Sequence, residues 1–224
     1  MKNKDTKALE MMSHLKNYNK FVQLIIKRHI NEGEVLDFGC GRGDFAKHLN
    51  DSGYKCDGVE VDKKAVLESQ KKSIKVFNSL SEVKKLYPTV ISLNVLEHIE
   101  DDIEVLKNLF NIIENDGSLV LYLPASMAAW SNMDVEVGHY RRYSKKEIIH
   151  KLHTTGYNVT HSSYKDFSGW LTLIIFRLLR VKLHFNEELI TFYDRFIFPF
   201  AKFLDLLGSF FIGKNILIVA KVRK

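Results

Sequence analysis

The stretch VLDFGCGRGDF, Val35–Phe45, decides the fold. A short apolar burst, Val35-Leu36-Asp37-Phe38, runs into glycines at 39, 41 and 43, and Asp44–Asn50 then read as a helix. Glycine suits such a strand-to-helix loop because the backbone must turn sharply and let a ligand approach with no side chain between. The following helix offers free N–H groups to an anionic part of that ligand. A second strand, Lys55–Val61, carries Glu60 near its end, placed to accept hydrogen bonds from ribose hydroxyls. A nicotinamide site would use the same geometry, but two details separate the readings. The spacing is GxGxG rather than GxGxxG, and Asp37 sits in the strand just before the first glycine. A pyrophosphate would be repelled by that carboxylate, whereas a ligand carrying ammonium and sulfonium charges would be attracted.

Outward from this loop, strands and helices alternate. Leu15, Tyr18, Val22, Ile25 and Ile26 have helical spacing within a helix near 7–29. After the second strand come a helix near Lys63–Lys72, a strand near Ile74–Phe77 and a helix near Ser81–Leu86. Pro88 leads into a fourth strand, Val90–Leu93, and Asp101–Ile113 forms an amphipathic helix ended by Asn115-Asp116-Gly117. Ser118–Leu123 is a fifth strand, Ser144–Thr155 a helix, Tyr157–Tyr164 a sixth strand and Asn215–Val222 the last. This alternation predicts an α/β fold, a doubly wound and mostly parallel sheet covered on both faces.

The quoted segment resembles the first motif of the class I S-adenosylmethionine-dependent methyltransferases, with Asp37, Gly39, Gly41 and Gly43 in the expected places. DGVEVD (Asp57–Asp62) resembles their second motif, with Glu60 as the ribose-binding acid. VISLNVLEHIEDD (Val90–Asp102) and NDGSLVLYLPA (Asn115–Ala125) are similar to the fourth and fifth strands with their loops. The resemblance covers roughly Tyr18–Tyr164 plus the final strand. It implies seven strands with the last antiparallel, and S-adenosyl-L-methionine as cofactor. The cofactor would lie against Asp37, Gly39, Cys40, Gly41, Gly43, Phe45, Glu60 and Val61, with Asn94 lining its methionine end. Many members have an aspartate after the third strand to contact adenine; here Asn78 and Ser79 occupy that place.

Methyl transfer is an in-line displacement, accelerated by holding the reactants in line and, for a hydroxyl acceptor, by a base. Two segments fall where the acceptor should lie. In the first, after the fourth strand, Glu97 and His98 read either as base or metal ligand or as supports for the following helix. Some related methyltransferases that modify quinone precursors carry a similar Leu-Glu-His. The second segment, DVEVGHYRRY (Asp134–Tyr143), follows the fifth strand. An imidazole titrating near about 6.5 suits His139 to general-base work. Arg141 and Arg142 suit bidentate binding of a phosphate or carboxylate, with Tyr140 and Tyr143 beside them as substrate contacts. The structural alternative is a loop pinned by internal Arg–Asp pairs. The catalytic candidates are therefore His139, His98 and Glu97, and no resident metal is expected.

Composition narrows the classes. The 46% hydrophobic and 27% charged content is that of a globular chain, read as a single domain over 1–224 with a helical insertion at 168–213. Two cysteines, Cys40 and Cys56, without a CxxC pair argue against disulfide and zinc frameworks and for a reducing, cytoplasmic compartment. The polar N-terminal stretch lacks the apolar centre of a signal peptide. A net charge of +6 fits an anionic partner without choosing it. Ten of the 15 Phe residues follow Lys165, and Leu189, Phe192, Phe196, Phe200, Phe203, Leu207 and Phe210 recur at helical spacing, interrupted at Pro199. With Trp170, Arg177, Arg180 and Lys182 before it, that stripe suits contact with an acidic membrane surface, a long apolar substrate or a second copy in a homodimer. The leading expectation is O-methylation of a small or lipid-linked acceptor, saccharide or quinone-type. A nucleic-acid methyltransferase is disfavoured, since neither an RNA-binding module nor an Asn/Asp-Pro-Pro-Tyr-like tetrapeptide is seen. A non-catalytic cofactor-binding scaffold at a membrane is the alternative from another class.

Overall fold

A computed structural model describes residues 14–180, 187–199, 201–202, 205 and 211–224. Seven strands form one sheet: β1 Glu34–Phe38, β2 Lys55–Val59, β3 Val76–Phe77, β4 Tyr87–Leu93, β5 Ile113–Pro124, β6 Tyr157–Lys165 and β7 Asn215–Val222. Their order is β3-β2-β1-β4-β5-β7-β6. The pairs up to β4–β5 are parallel, and β7 runs antiparallel to both β5 and β6. The expected fold class therefore holds. Helices α1 Lys16–Lys27, α2 Asp44–Asp51, α3 Lys63–Lys71, α4 Asp102–Ile112, α5 Asn132–Glu136, α6 Lys145–Thr154, α7 Phe167–Leu178 and α8 Glu187–Phe192 make the connections.

Strand alternation divides the core into two layers. On β5, Leu119, Leu121 and Leu123 pack with Leu106 and Leu109 of α4 and Ile148 and Leu152 of α6. Val120 and Tyr122 face the other way, toward Tyr18, Val22 and Ile26 of α1. β7 repeats the division, Ile216, Ile218, Ala220 and Val222 going to the first layer and Leu217 and Val219 to the second. Both strands read as unbroken apolar runs because both of their faces are covered.

Three details depart from the sequence reading. The helix expected near Ser81–Leu86 is a single 3-10 turn, Leu80–Glu82. β4 begins at Tyr87, so Pro88 lies inside it. A register shift between Tyr87 and Thr89 accommodates that proline, which has no N–H to give the ladder. In the insertion, a π-helical turn, Tyr193–Ile197, precedes Pro199, where the ring removes a helical hydrogen bond. Phe200, Phe203, Leu207 and Phe210 of the expected stripe, and Lys182, lie outside the described residues.

Candidate active site

The strand order reverses between β1 and β4, and the loops leaving the C-terminal ends of the parallel strands meet there, where open α/β sheets bind ligands. The glycine loop turns away from β1 with Gly39 at φ +78° and Gly43, which caps α2, at φ +74°. A Cβ on Gly39 would stand 2.3 Å from Val95 Cγ2, so the loop touches the segment after β4 through bare backbone. Asn94 stands in that segment at φ +54°; its N–H donates to the Tyr122 carbonyl, and its Oδ1 accepts from Asn215 Nδ2 at 3.4 Å. The two expected parts of the cofactor's methionine end thus lie together.

Glu60 ties the first motif to the second. Its Oε2 accepts the Gly41 N–H at 2.9 Å, and its Oε1 accepts the N–H groups of Val61 and Asp62. The Glu60 N–H in turn donates to the Phe77 carbonyl, which brings Asn78 and Ser79 alongside. Asn78 is exposed, and Ser79 shares a hydroxyl contact with Ser81. Asp37 is buried in β1, and burial together with the nearby Glu60 carboxylate pushes its carboxyl up to about 7. Two acids beside a loop of bare backbone leave excess negative charge, which fits a ligand bearing positive charge. Cys40 packs against Gly58, and burial raises its thiol pKa, so it serves as filling and not as a nucleophile. Phe45 packs into the α1-side core and Val61 is exposed.

The acceptor-side candidates converge from two distant segments. His139 Nδ1 lies 2.8 Å from Asp134 Oδ1, and its Nε2 lies 3.8 Å from Glu97 Oε1. The rings of His98 and His139 meet edge to face at 4.6 Å. What joins the segments is backbone: the Tyr140 N–H donates to the Glu97 carbonyl at 2.8 Å. Glu97 is wholly buried, and neither carboxylate oxygen finds a hydrogen-bond partner in another described residue. Burial drives its carboxyl up to about 8. Burial and the neighbouring His139 lower His98 to about 4, against a hydrogen bond to the Val137 backbone.

The arginine pair divides, and both members pair internally with acids, the alternative the sequence leaves open. Arg142 is buried, with Nε 2.7 Å and Nη2 3.1 Å from the two Asp134 oxygens and Nη1 donating to the Ala125 carbonyl. Burial alone would raise the Asp134 carboxyl; its bonds to His139 and Arg142 overcome this and hold it at about 2. Tyr143 is also buried, its hydroxyl donating to Asp102 Oδ2 at 2.7 Å. Two of the four side chains expected to touch substrate, Arg142 and Tyr143, here hold the loop, Arg142 by the internal Arg–Asp pairing given as the structural alternative. Arg141 pairs with Asp102 at 2.9 Å and donates to the Glu100 carbonyl, and Tyr140 is half exposed. Sequence reading missed Asp134 as the partner of His139 and Asp102 altogether. The capping box of Ser131 and Asp134 at the start of α5 was the available sign that Asp134 is fixed in place.

Comparisons with known proteins bear on the family and the fold. The family described as methyltransferase domain matches residues 10–162. A ubiquinone biosynthesis O-methyltransferase of Rickettsia typhi is 31% identical over 108 residues, covering 43% of this chain and 44% of that protein. The chain thus matches about half the length of such curated relatives or less. Among solved structures, a methyltransferase of Archaeoglobus fulgidus superposes with a TM-score of 0.62 at 19% identity, covering 90% of this chain and 93% of the other. One of Thermotoga maritima reaches 0.67 at 13% identity, covering 96% and 94%. Likeness at that identity bears on the fold, while the family match spans well over half of the sequence. The chain belongs to the methyltransferase domain family, and it shares the fold of solved S-adenosylmethionine-dependent methyltransferases.

Proposed function

We propose that the chain methylates a hydroxyl oxygen on a small or lipid-linked acceptor of quinone or saccharide type. The observation that carries this reading is the His139–Asp134 pair, seated beside Glu97 and His98 at the strand ends. Asp134 holds one ring nitrogen of His139, leaving Nε2 to take the proton that a hydroxyl must give up. The bound cofactor supplies an activated methyl group on a sulfonium. Gly39 and Gly43 give it room, Glu60 receives its ribose hydroxyls and Asp37 balances its positive charge. Asn94 orients the methionine end, and Asn78 and Ser79 flank the adenine. The acceptor oxygen forms its bond to the methyl carbon as the carbon–sulfur bond breaks, and the electron pair stays on sulfur.

An apolar rim supports an acceptor with an apolar body. Met127, Val135 and Tyr140 on the loop after β5 are exposed, as are Leu171, Ile175, Leu178 and Leu179 on and just after α7. Two hydrogen bonds fasten α7 to that loop: Trp170 Nε1–H to Ser126 Oγ at 3.2 Å, and Arg177 Nη1 to the Ala128 carbonyl at 2.6 Å. Among the described residues no helix is long and apolar enough to cross a membrane. Contact with a lipid surface would therefore be lateral, through this rim with Arg177 and Arg180 beside it. The relatedness to a ubiquinone biosynthesis O-methyltransferase favours a phenolic acceptor over a sugar.

Labelled methyl transfer from S-adenosylmethionine into phenols, lipid-linked saccharides, amines and RNA tests the reading. Label in an O-methyl product, lost in His139→Ala with cofactor affinity kept, supports it. Label only in amines or RNA overturns it.

A further inference from the structure

Glu97, His98 and His139 offer one ligand atom each, and these atoms all lie within 4.8 Å of one another. The set combines two imidazoles with a carboxylate, drawn from the turn after β4 and the loop after β5. We infer that these three side chains form a binding site for a divalent transition-metal ion at the mouth of the methyl-transfer site.

Three independent features point to a cation. The first is the state of Glu97: a fully buried carboxylate whose two oxygens lack a hydrogen-bond partner in any other described residue. Buried polar atoms are paired in folded proteins, so an orphaned carboxylate beside other donors indicates a missing partner. Arg142 makes no hydrogen bond to Glu97; its guanidinium bonds go to Asp134 and the Ala125 carbonyl. The second is the orientation of the rings. Metal-binding histidines characteristically fix one ring nitrogen on a carboxylate or backbone group and give the other to the metal. His139 is held by Asp134 at 2.8 Å, and His98 by the Val137 backbone. The third is distance. Ligand atoms around a tetrahedral zinc stand roughly 3.3 Å apart when each bond is near 2.0–2.1 Å. His139 Nε2 and Glu97 Oε1 are already at 3.8 Å and all three ligand atoms lie within 4.8 Å, so side-chain shifts of about 0.5–1.5 Å close the set.

The donor set selects the ion. Imidazole nitrogens favour zinc, iron, cobalt or nickel over magnesium and calcium, which prefer oxygen alone. Three protein donors leave at least one position open, as in catalytic sites. With an ion bound, His139 Nε2 would be a ligand and no longer the base described above; an acceptor hydroxyl would then lose its proton to solvent water, and the ion would stabilise the oxyanion left behind. This last step rests on the O-methylation reading; the binding site itself does not. The sequence marks Glu97 and His98 as base or metal ligand and His139 as a base; that all three face one another follows only from the fold, since His139 comes from a different loop.

The test is titration of untagged, chelator-treated protein with Co2+ and Zn2+, by calorimetry and by the visible absorption of bound Co2+. Wild type is compared with Glu97→Gln, His98→Asn, His139→Asn and Asp134→Asn, each checked for S-adenosylmethionine binding as evidence of an intact fold. One ion per chain, binding abolished in Glu97→Gln and His139→Asn and weakened about 10- to 100-fold in Asp134→Asn, is the expected result. Wild type that binds no ion, or variants that bind like wild type, would overturn the site. Metal binding as expected with no methylation of any hydroxyl acceptor keeps the site and refutes the acceptor reading. Hydroxyl methylation with no ion bound does the reverse.

Discussion

Asp37→Asn should make the cofactor-free protein more stable and the cofactor-binding protein worse, and both effects follow from one buried carboxyl. Asp37 is held up to about 7, first by burial and then by the Glu60 carboxylate. In the unfolded chain an aspartate titrates near about 3.9. The folded state therefore holds the proton more tightly, so stability falls as pH rises from about 4 to about 7 and is level above that. The ceiling on this penalty is about 4 kcal/mol at neutral pH and above, at roughly 1.4 kcal/mol for each pH unit between the two values. Asparagine removes the charge, less what its own buried amide costs. The variant should thus melt above wild type at pH near 8, and its advantage should vanish near pH 4. Binding reverses the preference, because a cationic ligand favours the carboxylate. If the ionised form alone binds, affinity of wild type for S-adenosylmethionine rises roughly 25-fold between about pH 5.5 and 7.5, about 2 kcal/mol. Calorimetry in two buffers of different ionisation heat counts the proton released. Asp37→Asn should release none, bind more weakly at pH 7.5 and lose most of the pH dependence. Equal pH profiles in the two proteins, or full affinity in the variant, would refute the assignment of Asp37 to the ligand's charge.

Three further outcomes are expected. Gly39→Ala places a Cβ 2.3 Å from Val95 Cγ2 on a backbone at φ +78°; the left-handed backbone alone costs about 1–2 kcal/mol, and calorimetry should find cofactor affinity lost while circular dichroism retains the fold. Cys40 should resist alkylation in native protein and react only after unfolding, since burial raises its pKa; mass spectrometry of an iodoacetamide time course would expose rapid native modification if that is wrong. Arg142→Met leaves Asp134 buried with His139 and Ser131 but without its guanidinium, which should cost about 3–5 kcal/mol in urea denaturation; an effect below about 1 kcal/mol would mean that the pair does not hold the loop.

The cofactor half was legible in the sequence because its logic is local. Val35–Phe45 is one strand, one turn and one helix start, and glycines alternating after an acid leave few other readings. Glu60 was legible for the same reason, as a residue at a strand end. The supporting contact between Gly39 and Val95 was not, since it joins β1 to the loop after β4 and depends on sheet order. Pro88 misled the placement of β4, because the register shift that admits a proline leaves no mark in the sequence. The turn at Leu80–Glu82 carries helix-forming residues but too few of them for a second turn before β4 begins. On the acceptor side, residue type marked the segment and left two roles open for its arginines. A His, two Arg, two Tyr and acids in ten positions mark a polar site; which of them face ligand depends on which acids face inward.

Two buried carboxylates settle that division. Asp134 takes Arg142 on both oxygens and His139 on one, and Asp102 takes Tyr143, Lys151 and Arg141. Each joins the loop after β5 to something rigid: Asp134 through the start of α5, Asp102 at the start of α4. A buried charge with one partner is costly, but with two or three it holds each of them in a single orientation. Arg142 and Tyr143 are consumed in that way and cannot also turn to a ligand without stranding their acids. Arg141 can, because Asp102 keeps Tyr143 and Lys151 when it leaves. An anionic acceptor should therefore be met by Arg141 from the exposed rim with Tyr140, while Glu97, His98 and His139 remain for the oxygen that receives the methyl group. Substrate selection and methyl transfer would then be separable by substitution, Arg141→Ala raising KM for charged acceptors alone and His139→Ala lowering kcat for all of them.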